Sequence, residues 1–207
     1  MKYLTVILLS VLSLVACELA PNADCKNADL SYLVIEGKDL SGIDLEGATL
    51  FRTKIIASNI KNANFKNSHF SYARIIDSSF DGSDFTNAKI LNTDLISSSF
   101  VRSSFISSDL TRSELLVVDF ADATIKQTSF ERAVFHSCGF AGASFEQNRF
   151  FWATINDSNF TNASFSHDSF RYADLNNSIF KDATTDQVEF AKAVINIDSK
   201  EFHSKKK

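Results

Sequence analysis

Along most of the chain every fifth residue is apolar. From Cys25 the series runs through Leu30, Ile35, Leu40 and Leu45 to Phe170, Leu175 and Phe180 without a slip. Thr185 breaks it, and Phe190 and Ile195 resume it. Two residues before each centre the side chain is usually small, as at Ala28, Ala63, Ser78, Ser98, Ala123 and Ala173. A period of five fits neither the stripe of a helix, which repeats every ~3.6 residues, nor the alternation of a long strand. Two inward residues separated by one outward residue make a short extended stretch, and an odd period forces a turn in every repeat. Turns of one sense close the chain into a coil, whose backbone groups pair with the coils above and below.

The triplets Ala28-Asp29-Leu30, Ala63-Asn64-Phe65 and Ala173-Asp174-Leu175 carry a resemblance to the pentapeptide-repeat family, written A(D/N)LXX, over residues 23–183 and on to 195. The resemblance implies an all-β fold: a right-handed quadrilateral β-helix, a solenoid of about eight coils with four five-residue sides in each. Residues one full coil apart then stack, which puts Leu40, Ile60, Phe80, Phe100, Phe120 and Phe140 in one core column. Sixteen of the 20 Phe lie in the unbroken series, so the Phe are core. Leu33, Lys38 and Ile43 take the small inward site of the first coil, which predicts a wider or irregular start. Asn148 and Asp168 are large polar residues on stacked inward sites: a buried polar site, or a local widening in which they bond to each other and to backbone amides.

The N-terminus is patterned differently. Lys2 precedes an apolar run from Tyr3 to Val15, too short for a bilayer span of about 20 residues but suited to a secretory signal. It ends in Leu14-Val15-Ala16-Cys17, which resembles the lipobox of bacterial lipoproteins and implies a signal peptide over 1–16 with lipidation of Cys17. An ordinary cleaved signal or an uncleaved anchor are the alternatives. Residues 17–22 would be a lipidated tether, 23–195 the β-helix, and 196–207 a basic tail that frays after a last coil or a capping helix over 186–195. Glu18, rather than Asp, after the Cys resembles an outer-membrane address in the cell envelope.

Composition changes this picture little. The formal net charge is −4, with both signs interspersed. No long basic stretch suggests nucleic acid. Cys25 and Cys138 are more than five coils apart, too far to bridge, and read as buried free thiols once Cys17 is consumed by lipid. No cofactor, metal or catalytic constellation stands out, and the four His share no ligand-like spacing. The reading is a non-enzymatic envelope lipoprotein, a protein-binding or scaffolding module held to the membrane by its lipid. The alternatives are the DNA-mimic role of gyrase-binding members of the same family and an enzyme.

One flank is the candidate partner face. It combines an outward apolar ladder, Ile56, Ile76, Ile96 and Leu116, with a corner column that includes Arg52, Tyr72, Arg112, Arg132, Trp152 and Tyr172. Trp, Tyr and Arg are enriched at binding hot spots. Exposed apolar patches often mark interfaces, self-association through the Ile ladder among them. The same columns could equally be internal stacking and β-propensity.

Overall fold

The protein is described by a computed structural model over residues 17–195 and the strand Phe202–Ser204. Residues 1–16, expected from the sequence to be a signal segment ending in the lipobox-like Leu14 to Ala16, lie outside the described residues. Among the described residues the strands are β1 (Val34–Glu36), β2 (Lys54–Ile56), β3 (Arg74–Ile76), β4 (Asp94–Ile96), β5 (Ser104–Ile106), β6 (Glu114–Leu116), β7 (Thr124–Lys126), β8 (Val134–His136), β9 (Ser144–Glu146), β10 (Thr154–Asn156), β11 (Ser164–Ser166), β12 (Ala183–Asp186) and β13 (Phe202–Ser204). They form two parallel sheets, ordered β1-β2-β3-β4-β6-β8-β10 and β13-β12-β11-β9-β7-β5. Strands of the two sheets alternate along the chain from β4 to β11, two sides of the coil apart, so the sheets are opposite faces of a solenoid of about eight turns.

The five-residue period dictates this geometry. Each centre from Cys25 to Phe180 is buried, and Leu30, Phe80, Phe160 and Phe180 are fully inaccessible. The backbone turns at the second residue after the centre, which takes a positive φ, as at Asn27 (57°) and Trp152 (56°). In most corners the next amide returns to the centre's carbonyl, as from Ala28 to Cys25 at 3.1 Å. Other amides reach a neighbouring coil, as from Cys25 to the Asp44 carbonyl at 2.7 Å, or a side chain two residues back, as from Ser31 to Asp29 Oδ1 at 3.0 Å. Stacking follows from that spacing: Phe120 lies between Phe100 and Phe140, with ring centroids 5.2 and 5.1 Å away and interplanar angles of 14° and 4°. Offset parallel stacking at this separation is favourable for aromatic pairs.

The start of the rod is irregular, as its inward residues predict, and the C-terminal end departs from the sequence reading. Lys38 is exposed and Leu33 half-buried, so the first coil is open on that side, while Ile43 is buried. Residues 186–195 continue as coil and not as a capping helix, with Val194 donating to the Ala173 carbonyl at 2.8 Å. The tail does not simply fray: β13 pairs with β12, with Phe202 opposite Ala183 and Ser204 opposite Thr185. That spacing is one residue short of the spacing between β11 and β12, which pair Phe165 with Thr185, so the register slips at the last step.

Cys25 is not a free thiol. It is disulfide-bonded to Cys17, eight positions earlier in the sequence, with the Cα atoms 5.3 Å apart. Residues 17–22 are therefore folded back against the first coil and not extended as a tether. Cys17 and Leu19 pack on the core, and the Asn22 amide reaches the Ser41 carbonyl at 2.9 Å. Cys138 is free and buried, and burial pushes its thiol up to about 11.

Candidate functional site: one flank of the rod

The sheet that contains β1 and β10 is held by two devices. Its strands carry one inward residue each, such as Ile75 or Leu115, so the residues on either side face out. At the corner after most of these strands, where φ is again positive, the amide two residues past the strand bonds to a hydroxyl one coil on. Lys38 donates to Ser58 Oγ at 3.2 Å, Ser58 to Ser78 Oγ at 3.1 Å, and Ser78 to Ser98 Oγ at 3.1 Å. Each hydroxyl is itself tied to its own strand, as Ser78 Oγ donates to the Ile76 carbonyl at 2.8 Å. Val118 interrupts the ladder, and Cys138 and Ser158 resume it, Cys138 donating to Ser158 Oγ at 3.2 Å. The sequence shows small residues here; that their hydroxyls replace the missing turn bond was not legible.

The apolar ladder is in register: Ile56 lies beside Ile76, Ile76 beside Ile96, and Ile96 beside Leu116. It is less exposed than its outward position suggests. Ile56, Ile76 and Ile96 are half-buried because each branched side chain covers its neighbour at strand spacing, and of the four only Leu116 is exposed. Further apolar exposure lies elsewhere on the same flank. The exposed large apolar residues of the rod are Tyr32, Val34, Tyr72, Leu116, Val117, Val134, Trp152 and Val194, all on this flank, and Ile179 on the next side. Val34, Val117 and Val134 were missed by sequence reasoning, which followed one column at a time. The opposite sheet turns Ser104, Thr124, Lys126, Ser144, Glu146 and Ser164 outward, with Ile106 its one large aliphatic among β5, β7, β9 and β11.

The corner column precedes the strands, and its cations and rings stack on one another. Arg52 lies 5.3 Å from the Phe51 ring and 5.8 Å from the Tyr72 ring, and Arg132 lies 4.9 Å from Trp152. Phe51 makes edge contacts with Tyr32 and Tyr72 at 5.6 and 5.8 Å. The arrangement returns five coils later, where Phe151 meets Trp152 at 4.5 Å and Tyr172 at 5.4 Å. Lys192 Nζ donates to Tyr172 Oη at 3.1 Å, and that hydrogen bond holds the phenol below its ordinary range. Arg112 stands in the same column with positive φ and no ring beside it among these contacts.

A second outward column carries charge in a fixed order. Lys54 and Arg74 open β2 and β3, and Asp94 and Glu114 open β4 and β6. Arg74 and Asp94 form an exposed ion pair at 3.8 Å.

Asn148 and Asp168 are both 1 % exposed and bonded to each other and to backbone amides, on the opposite side of the rod. Among the described residues no cluster of His, Cys, Asp and Glu is placed to hold a metal ion.

Comparison with known proteins fits this architecture. The family model described as pentapeptide repeats matches in eight copies, over residues 48–87, 78–116 and 149–184, about half of the chain. Two trypsin-treated variants of QnrB1, a plasmid-mediated fluoroquinolone resistance protein, superpose with TM-scores of 0.61 and 0.60 at 16% and 15% identity, over 83% of this chain and 87% of theirs. HetL, a pentapeptide repeat protein involved in heterocyst differentiation regulation in the cyanobacterium Nostoc, aligns at 17% identity over 82% of this chain and 87% of its own, with a TM-score of 0.39. At these identities the likeness concerns the fold alone. No curated protein matches the sequence.

Proposed function

We propose that this chain, which belongs to the pentapeptide-repeat family, is a non-catalytic rod of the bacterial cell envelope that holds a partner protein on the flank built from β1 to β4, β6, β8 and β10. The observation that carries the reading is the segregation of exposed apolar side chains onto that flank while the opposite sheet is polar. Contiguous exposed apolar surface favours association over solvation. The corner column from Tyr32 to Lys192 adds Arg52, Arg112, Arg132 and Lys192 and contains no carboxylate. An acidic DNA mimic would present the reverse, so that alternative draws no support from this flank.

The envelope address rests on the N-terminal pattern. In the first version Cys17 carries diacylglycerol and anchors the rod, since two acyl chains suffice for stable membrane attachment. The disulfide favours a second version, in which an ordinary signal is cleaved and Cys17 stays paired with Cys25 in an oxidising compartment. One sulfur cannot hold both bonds. Intact mass of the processed protein separates them: a diacylglyceryl adduct supports the anchor, and a chain lighter by a pair of hydrogens supports the disulfide. The flank is tested by cross-linked recovery of the partner from envelopes with wild type and with Leu116→Ser/Val134→Ser. Equal recovery by both, at unchanged melting, defeats the reading.

A further inference from the structure

The outward residues of the first six strands of this sheet read the same from either end. The leading positions run Val34, Lys54, Arg74, Asp94, Glu114, Val134, and the trailing positions run Glu36, Ile56, Ile76, Ile96, Leu116, His136. Reversing the first order and exchanging the sign of charge returns it unchanged. Reversing the second pairs apolar with apolar and sets Glu36 against His136. A self-complementary patch of this kind is what a two-fold interface requires, because residue i must meet residue j while j meets i.

We infer that a second copy of this chain packs on this face, antiparallel, about a two-fold axis that runs along the strand direction between β3 and β4. Such an axis keeps each residue's place along its strand and reverses the order of coils. β3 faces β4 of the second copy, β2 faces β6, and β1 faces β8. Lys54 then meets Glu114, and Val34 meets Val134, both of them exposed in the single rod at 60% and 41%. The ion pair of Arg74 with Asp94 becomes one half of a four-charge square of alternating sign at the axis. The half-buried Ile56, Ile76 and Ile96 and the exposed Leu116 close into an apolar seam beside the charges. A parallel arrangement about an axis along the rod sets leading against trailing positions, Lys54 on Ile56, and loses every one of these pairs. At the rim Arg52 comes opposite Arg112. This like-charged pair lies on the corner, off the flat face, where Arg52 is already stacked on Phe51 and Tyr72.

The size of the face sets the strength. Six strands at about 4.8 Å and a width of roughly 10 Å give on the order of 300 Å² of flat surface per copy, well short of the roughly 800 Å² per partner of a standard interface. The pair is therefore reversible, with a dissociation constant in the micromolar range or weaker.

This inference rests on the reading of the flank as a protein interface, and its test separates the two. Two charge variants are made, Lys54→Glu/Arg74→Glu and Asp94→Lys/Glu114→Lys, and sedimentation is followed from about 1 to 500 µM. Each alone presents four like charges to its own copy, and self-association is expected to weaken tenfold or more at unchanged melting. Mixed together they regain dimerisation, because every opposed pair is again of opposite sign. A second measurement uses cysteine: Val34→Cys/Val134→Cys is expected to form a covalent dimer under mild oxidation, and neither single variant does. Within one chain those positions are five coils apart and cannot bridge. A monomeric wild type across the range, variants that associate as well as wild type, or a single-cysteine cross-link overturns the antiparallel pair. A monomeric rod that still recovers an envelope partner in a Leu116-dependent way overturns the second copy alone, and loss of both defeats the flank.

Discussion

Asp168 Oδ1 accepts two hydrogen bonds from Asn148, from its backbone amide at 2.8 Å and from its side-chain amide at 2.9 Å. Its other oxygen accepts the Ser166 amide at 2.9 Å. Burial pushes the Asp168 carboxyl up to about 6, and the amides offset only part of that. The native state thus binds a proton that the unfolded chain has released above its ordinary value near 3.8. The contribution to stability is full below that value and is lost as pH rises through about 6. The loss is at most on the order of 2–3 kcal/mol. We expect the midpoint of urea unfolding to fall between pH 5 and pH 7.5 in wild type. The fall should flatten in Asn148→Ser/Asp168→Ser, which replaces the pair with two stacked hydroxyls. Carboxylates such as Asp39, held low by the Ser41 amide, titrate below this window. A pH slope that survives in the double variant rules out Asp168 as its source.

Phe120 measures the core. It is 1% exposed and stacked on both sides, and the coils above and below cannot move toward a hole without breaking their backbone ladders. Phe120→Ala should cost about 3–5 kcal/mol. Lys126→Ala, which removes an exposed ion pair to Glu146 at 2.8 Å, should cost no more than about 1 kcal/mol. Denaturant melts of the two variants check the register, and comparable losses would contradict it.

The hydroxyl ladder makes a separate claim about the corners. Ser78→Ala removes the acceptor for the Ser58 amide and leaves that amide buried, at a cost of about 1–3 kcal/mol. Ser103→Ala should cost less, because the Ser103 amide keeps its own turn bond to the Phe100 carbonyl at 3.1 Å. Hydrogen exchange at Ser58 is the direct readout: protection should drop in Ser78→Ala and stay in Ser103→Ala.

For the N-terminus, Cys17→Ser should abolish labelling by an alkyne fatty acid and leave the protein unprocessed or soluble in membrane fractionation, whereas Cys25→Ser should keep the label. If Cys17 instead remains in the disulfide, neither protein is labelled, and each substitution costs about 2–3 kcal/mol for the lost short cross-link. Thiol alkylation before and after reduction distinguishes the outcomes.

Much of the fold could be read from the chain because each coil repeats one local rule: the centre points in, and only an apolar residue is tolerated there. Asn148 and Asp168 were legible for the same reason, since two polar residues on stacked inward sites have each other as nearest partners. What escaped needed information from more than one column. The bond between Cys17 and Cys25 depends on residues 17–22 folding back, a local path that the repeat does not encode. The pairing of Phe202 with Ala183 needs a one-residue slip that a strict period excludes. The flank was only half legible: the Ile column was visible, but its mutual covering and the flanking Val34 and Val134 emerge only when the columns stand side by side.

The amides that reach between coils carry one more consequence. Phe80 bonds to Ser99, Phe100 to Asp119 and Phe120 to Gly139, each at 2.7 Å and each to the coil that follows. No stretch of the rod waits for a distant segment to arrive. Every finished coil is a template that orders the next, so the chain can fold like a closing zipper, one short loop at a time, and the entropy cost of each step stays that of closing about 20 residues. Where the end at Cys17 is stapled to the first coil, growth from that end has a fixed starting edge.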